Sequence, residues 1–506
     1  MSVLKKLAGH TLVYGLSTIF ARFLNFLLVP LHARTFIPHD FGIIQEVYAY
    51  IAFFNIIYTY GMETAYFRFA TKTQNSMQNA FDSTFSAIFT SSMVLSGFIF
   101  IFSAPIAQLL GIADKQVIVQ YVSLLMAVDA LVAIPFAKVR LLNKVYLFAG
   151  ARLSSIFLNI FFNFFYLVFC PLIARGDMFV GFAPYLPYVF YKDNYGVEYV
   201  FLSNLLSNLA FIPFLLPVMR RYRFSLDITY LKSILIYSFP ILITGIAGTV
   251  NEMFSRALLK DLLPTGFYKG ITNMAALGIF SAAYKFSVFM TIVIQAFRYA
   301  SEPFFFSHAS AQDAKALYAK VMLYFILVCC FIFCFISINV HWIASIFLGN
   351  SLYNEGLVIV PMLLFAAMLL GIYYNLSIWY KLTDMTYWGT YITLGGAAVT
   401  IVGNYILIPL YGYVGSVYTT LACYTVMTVA SYILGQKYYK VPYAAWRLIA
   451  IMLTSYGIVY VLTNIELVKN YDILTDNMIL FAIFGCTFVW FYLNNKKSKL
   501  ILHHEQ

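Results

Sequence analysis

Residues 277–306 read LGIFSAAYKFSVFMTIVIQAFRYASEPFFF. The run exceeds the roughly 20 predominantly apolar residues that carry an α-helix across a hydrocarbon layer. Three ionisable groups interrupt it: Lys285 early, then Arg298 and Glu302 four residues apart near its end. A charge at mid-membrane costs at least ~2.5–3.5 kcal/mol on insertion scales, so a helix that keeps one turns it toward a protein interior or a wet cavity. This stretch therefore predicts a membrane-crossing helix with something polar beside it.

The rest of the chain repeats the pattern. Of 506 residues, 62% are hydrophobic and 10% charged, against about 25% charged in an ordinary soluble domain. That composition excludes a soluble enzyme, a disordered chain, a coiled coil and a small disulfide scaffold. The apolar runs are continuous and much longer than the roughly ten alternating residues of an outer-membrane strand, which excludes a transmembrane β-barrel. Apolar windows predict about 14 transmembrane helices, at 7–33, 41–67, 81–107, 116–137, 147–173, 197–219, 232–259, 275–304, 316–340, 357–380, 387–409, 413–436, 445–464 and 473–494. The expected fold is an all-α integral membrane protein. Lys5 and Lys6 before an apolar run resemble a signal peptide, but that run continues to about Leu31 and carries Arg22, so it reads as an uncleaved first helix. The six cysteines, Cys170, Cys329, Cys330, Cys334, Cys423 and Cys486, all lie in apolar runs and read as small core residues.

The net charge of +12 follows from topology and implies no nucleic-acid partner. With the N-terminus in the cytoplasm and spans alternating, loops and ends on the inside hold 20 of the 32 Lys and Arg residues, those outside hold seven, and five lie within spans. A missed span would scramble this bias downstream, yet it persists to the last loop. It supports an even number of helices and two cytoplasmic termini. Two segments are longer than the other loops. Residues 174–196 form an aromatic external loop, and residues 220–231 (RRYRFSLDITYL) form a basic-aromatic linker on the inside, expected to act as a hinge resting on anionic lipid heads.

An internal repeat divides the chain. Phe41-Gly42-Ile43-Ile44 followed by Tyr48 matches Leu277-Gly278-Ile279-Phe280 followed by Tyr284. These segments open the second and eighth spans, which predicts two pseudo-symmetric six-helix lobes and two extra helices. The expected divisions are an N-lobe at 1–219, a cytoplasmic linker at 220–231, a C-lobe at 232–440, two C-terminal spans within 441–494 and a cytoplasmic tail at 495–506.

No phosphate-binding Gly-Lys loop, HExxH, GxSxG or Cys/His cluster is present, so neither catalysis nor a cofactor is expected. The chemistry-bearing residues are ionisable groups inside spans. Arg22, with Asn25 nearby, lies in span one, Asp129 in span four and Lys285 in span eight. Glu252 and Arg256 in span seven, like Arg298 and Glu302 in span eight, are spaced for pairing on one helix face. Glu63 and Arg68 lie at the inner end of span two. Span five carries a polar stripe, Arg152, Ser155, Asn159, Asn163 and Tyr166, and span six carries Asn204 and Asn208. Each has a structural alternative. The spaced pairs serve equally as static ion pairs, Arg68, Asp82 and Arg152 as interfacial side chains reaching for water, and the asparagines as links between helices. Arg22 and Lys285 have no acidic partner within one turn and read as cavity cations for an anionic passenger, with Asn25 and Arg256 as further binding residues. Glu63, Arg68, Asp129, Glu252, Arg298 and Glu302 are the expected gate and coupling residues. Arg298 is expected to pair with Glu63, and Arg68 with Glu302, when the inner mouth closes. Coupling to H+ or Na+ is compatible with these carboxylates.

Several segments resemble the Wzx-type oligosaccharide-lipid flippases of the multidrug/oligosaccharidyl-lipid/polysaccharide (MOP) superfamily. They are ARFLNFLLVPLHARTFIPHDFGIIQEVYAYIAFF, the close of span two YGMETAYFRFATK, YSFPILITG with Pro240, the eighth span quoted above with its Glu-Pro-Phe close, and NYILIPLYGYVGSVYTTLA. The resemblance implies two six-helix lobes in a V around a central cavity. It implies undecaprenyl-pyrophosphate-linked oligosaccharide as passenger, bacterial inner-membrane localisation, and a glycan polymerase and chain-length regulator as partners. Lys285 falls where related lipid II flippases carry a cavity arginine, and Arg22 matches a basic position common in the exporters. Leu28-Val29 stands where the lipid II flippases have an Arg-Asp pair, which favours a surface glycan over a peptidoglycan precursor. The competing readings are a small-molecule antiporter of the multidrug (MATE) type, usually of twelve spans with acidic cavities, and a membrane glycan polymerase or acyltransferase, which needs a reactive constellation absent from the longest external loop.

The loop bias makes a topological prediction. In a chain lacking native cysteines, Asn194→Cys reacts with an impermeant maleimide on intact cells, and Lys497→Cys reacts only after permeabilisation. Labelling of Lys497→Cys on intact cells refutes the orientation.

Overall fold

Hydrocarbon offers no hydrogen bonds, so a backbone that crosses it must satisfy its own N–H and C=O groups, which a helix does within each segment. A computed structural model describes residues 26–464, apart from 72–75, 190, 193, 310 and 311, together with residues 20, 23, 24, 480, 484 and 485. Among the described residues there is no strand. Eleven helices are long and apolar enough to cross a membrane, and a pair bent by 42°, Asn273–Lys285 with Ser287–Phe306, makes a twelfth crossing segment. The protein is a multi-pass membrane protein. These twelve correspond to the second through thirteenth expected spans. The first is described only over its later part, the fourteenth only at residues 480, 484 and 485, and the tail lies outside the described residues.

The principal helices are α1 (Leu28–Thr35), α2 (Pro38–Thr59), α3 (Met62–Ala70), α4 (Ser76–Ile101), α5 (Gln116–Leu141), α6 (Val145–Phe164), α7 (Glu198–Leu209), α8 (Ile228–Leu262), α9 (Asn273–Lys285), α10 (Ser287–Ser307), α11 (Ala314–Ile338), α12 (Val360–Leu376), α13 (Tyr387–Tyr411), α14 (Tyr413–Tyr438) and α15 (Ala445–Asn464). Local chemistry sets several boundaries. Pro38 opens α2, where its missing N–H costs nothing. Gly61, at φ 75°, lets the chain turn between α2 and α3. The Asp227 carboxylate caps α8 by accepting from the amides of Thr229 (3.0 Å) and Tyr230 (3.2 Å).

The chain forms two compact units. The first comprises the residues up to Ser281 with Thr393–Ser416, and the second Ala282–Ile392 with the residues from Val417 onward. In the second, α11 packs against α12 and α15. Cys329, Cys330 and Cys334 are buried there, with the Cys334 thiol 3.6 Å from the Ser455 carbonyl oxygen. In the first, α2 packs along α8, although the division of the sequence at residues 220–231 puts them in different halves. The aromatic segment after α6 folds back on the helix ends: Tyr199 stacks between Tyr166 (5.0 Å) and Tyr191 (5.6 Å), and Val180–Val189 forms 3₁₀ turns.

The two members of the sequence repeat meet each other. A Cβ on Gly42 would collide with the carbonyl oxygen of Met274 and lie 3.2 Å from the amide nitrogen of Gly278. One on Gly278 would collide with the Pro38 carbonyl oxygen and lie 3.1 Å from the Gly42 amide nitrogen. The contact is reciprocal, as expected where segments related by a repeat cross near its axis. Further along α2 and α3, Gly61 lies under the Ser238 carbonyl (2.8 Å to a built Cβ), and Gly245 faces Ile56 (3.1 Å). Small residues permit such backbone approach, and in lipid the resulting close packing drives helix association.

Gly278→Val forces backbone against backbone. It is expected to lower stability by about 1–3 kcal/mol or more, read as a lower melting temperature and less monodisperse protein in detergent. Gly150→Ala meets nothing within 4 Å and should leave both unchanged. Equal behaviour of the two variants removes the crossing as a determinant of the fold.

Candidate functional site: a polar cavity in the first unit

Four crossing segments of the first unit each turn one face toward a common space. On α5, Asp129, Ala133, Phe136 and Arg140 line it; on α6, Phe148, Arg152, Ser155 and Asn159; on α7, Asn204, Ser207 and Asn208; on α2 and α3, Asn55, Thr59 and Glu63. The spacings of three and four residues are those of a single helix face. The cavity is open on one side and has a volume of about 580 Å³.

Its charges are arranged in opposite pairs. Glu63 and Arg140 form an ion pair, each roughly one-third to two-fifths exposed. Arg140 also lies over the ring of Phe67, 5.0 Å from its centroid. Asp129 accepts a hydrogen bond from Asn208 Nδ2 at 2.6 Å, and the Arg152 guanidinium acts on it electrostatically. Arg152 is braced by the rings of Phe136 (5.3 Å) and Phe148 (5.8 Å). Asn208 Oδ1 in turn accepts from Ser155 Oγ at 3.3 Å, and Asn204 Nδ2 donates to the Tyr48 hydroxyl at 3.1 Å. Amide and hydroxyl groups alternate as donors and acceptors, with aromatic rings beside them. Such a lining hydrogen-bonds a hydrated or polyhydroxylated guest inside a layer where nothing else does. Among the described residues no group of His, Cys, Asp and Glu is arranged to hold a metal ion.

The structure brings Glu63 and Asp129 into this cavity. Arg22 and Asn25 lie outside the described residues. Arg68 stacks its guanidinium on Tyr237, 4.1 Å from the ring centroid, and Arg298 does the same with Tyr374 at 3.9 Å. Glu302 pairs with Lys381. Within each unit, Glu63 is taken by Arg140 and Glu302 by Lys381, both basic residues that lie just beyond the apolar windows of the sequence. On α8, Arg256 Nη2 donates to the Glu252 carbonyl oxygen at 2.9 Å, and Glu252 is exposed. Lys285 is half-buried at the break between α9 and α10.

Two interfacial assignments are corrected. Arg152 lines the cavity because α6 turns it onto the same face as Ser155 and Asn159. Asp82 is 7% exposed, accepting from Gln78 Nε2 (2.7 Å) and the Arg223 amide (3.2 Å). The polar stripe of α6 serves two purposes. Asn159 lines the cavity, whereas Asn163 is 2.8 Å from His32 Nε2 and donates to the Asn159 carbonyl, linking helices. Sequence reasoning missed Arg140, although its spacing of 11 from Asp129 signals a shared helix face. It also missed Glu46, 1% exposed and 2.7 Å from Lys260 Nζ; an acid eight residues into α2 was the available signal.

Comparisons with known proteins agree with this architecture. No curated protein matches the chain. Among solved structures, the lipid II flippase MurJ in its inward closed conformation superposes with a TM-score of 0.67 at 14% identity, covering 95% of this chain and 100% of that one. An inward-facing multidrug resistance MATE family transporter of the MOP superfamily gives 0.60 at 13% identity over 88% and 99% of the two chains. Its outward-facing counterpart gives 0.54 at 12% over 88% and 96%. The fold is thus the one shared by these flippases and transporters. Residues 7–308 match the family model described as polysaccharide biosynthesis protein, and with more than half its length so matched, the chain belongs to that family.

Proposed function

We propose that this protein is a flippase that carries undecaprenyl-pyrophosphate-linked oligosaccharide, a repeat unit of O-antigen, capsule or another surface glycan, from the inner to the outer leaflet of a bacterial cytoplasmic membrane by alternating access. The observation that carries the proposal is the polar cavity of about 580 Å³ within a membrane-spanning unit, in a chain of the polysaccharide biosynthesis family. A glycan exposes hydroxyl and amide groups whose transfer into hydrocarbon without partners costs several kcal/mol each. Asparagine, serine and threonine side chains on three helices, α2, α6 and α7, replace water for such a passenger. Lys285 and Arg256, together with Arg22 near the N-terminus, are proposed to offset the charge of the pyrophosphate, with Asn25 donating a hydrogen bond to it. Both termini are proposed to be cytoplasmic, movement to be driven by H+ or Na+, and a glycan polymerase with its chain-length regulator to receive the product.

Deleting the gene is expected to accumulate a lipid-linked glycan on the inner leaflet, identified by mass spectrometry. Purified protein in vesicles should translocate that glycolipid, measured by its accessibility to an added glycosidase. Accumulation of no glycolipid, together with a gain in sensitivity to cationic drugs, would replace the flippase with an antiporter.

Within that assay the cavity makes its own prediction. Asp129→Ala removes the acceptor shared by Asn208 and the charge facing Arg152, and a loss of about 1–3 kcal/mol corresponds to a translocation rate about five- to a hundredfold lower. Glu63→Arg should abolish translocation and the added Arg140→Glu should restore part of it. Normal rates in Asp129→Ala and in Glu63→Arg would remove this cavity from the transport path.

A further inference from the structure

The chain between Met219 and α8 has no regular structure over residues 222–227, yet it is fastened at several points to α4. Gln78 Nε2 donates to the Arg221 carbonyl oxygen at 3.0 Å, the Arg223 amide to Asp82 Oδ1 at 3.2 Å, and the Ser225 amide to Ser86 Oγ at 2.9 Å. Tyr222 packs edge-on against Phe85, with centroids 4.8 Å apart, and its hydroxyl is 3.0 Å from Ser86 Oγ. Lys138 lies over Phe81 at 3.8 Å and donates to Gln78 Oε1 at 3.2 Å, which fixes the glutamine. The segment is therefore a strap with a set orientation along α4.

That orientation decides what faces outward. Phe224, Leu226 and Ile228, at alternate positions, are 59%, 40% and 79% exposed, and Arg220, Arg221 and Arg223 are exposed beside them. The nearby acids are already engaged: Asp82 by the strap amide, Asp227 by the cap of α8, Glu63 by Arg140. Three cations and three apolar side chains thus project at the end of membrane-crossing helices, and the three arginines outnumber the two carboxylates beside them, Asp82 and Asp227.

We propose that residues 220–228 are a preformed anchor for an anionic phospholipid surface. The arginines take lipid phosphates at headgroup depth, and Phe224, Leu226 and Ile228 enter the acyl boundary beneath them. The pairing of basic with apolar side chains is that of segments lying in a membrane interface. A soluble acidic partner accounts for the arginines but would leave the apolar set without an acyl layer. Because the strap opens α8 and is bound to α4, the anchor ties the depth of both helices to the charge of the leaflet.

The test uses the full chain in vesicles, with Leu226→Cys carrying an environment-sensitive fluorophore. The described native cysteines are all buried, and Cys486→Ser removes the remaining one. In vesicles of phosphatidylethanolamine with phosphatidylglycerol, the label should emit as in an apolar medium, be quenched by shallow spin-labelled lipid and resist aqueous iodide. Spin-labelled phosphatidylglycerol should quench it more than the zwitterionic analogue does. That preference should weaken with salt and fall about fivefold for each arginine replaced in the series R220Q, R221Q and R223Q. A label open to iodide in these vesicles, or quenched equally by both lipids, overturns the proposal. The wild-type label decides it even if the arginine variants fail to fold.

Discussion

Helices α2 and α9 cross backbone on backbone at Gly42 and Gly278, and the first unit is arranged around that crossing. Once Gly42 faces α9, the period of the helix assigns every other residue of α2. Glu46 and Tyr50 fall on the same side, where they meet Lys260 and the Ala257 carbonyl oxygen of α8. Tyr48, Asn55 and Thr59 fall on another side. There Tyr48 receives the bond from Asn204, and Asn55 and Thr59 line the cavity. One helix therefore carries a dry seam and a wet wall, and the absence of two Cβ atoms sets which is which.

One rule governs any charge taken out of water: an ion inside a low-dielectric layer needs an opposite charge or several hydrogen bonds close by. Glu63 with Arg140, Asp129 near Arg152, Glu46 with Lys260 and Glu302 with Lys381 all meet it. The cavity of the first unit contributes two acids and two bases, so it presents dipoles and amides more than net charge, a lining suited to hydroxyl groups.

Where a helix bends or stops also bears on function. The 42° break after Lys285 interrupts a crossing segment, and broken crossing helices are where transporters place polar groups. The strap at 220–228 shows the opposite strategy. A connection that composition marks as mobile is immobilised by the side chains of a neighbouring helix and turns its own outward.

Legible in the linear chain were the solvent it folds in, the approximate limits of the twelve described crossing segments, and the repeat of Gly42 and Gly278. Those properties are written in local runs: about twenty apolar residues make a span whatever surrounds them, and a repeated Gly-to-Tyr spacing is visible without any contact. Glu63 and Asp129 were legible for the same reason, since a charge inside an apolar run is a local anomaly. Partners were not legible. Arg140 looks like a loop residue until α5 is seen to continue to Leu141, and Lys381 like any basic residue after a span until Glu302 is seen beside it. Pairing depends on which helix faces meet, and residues 79 positions apart carry no mark of each other in the linear chain. Only the tertiary structure decided that Glu63 binds Arg140, that Asp82 holds the strap and that the two repeat glycines touch, because each is a matter of distance between segments whose separate sequences permit many alternatives.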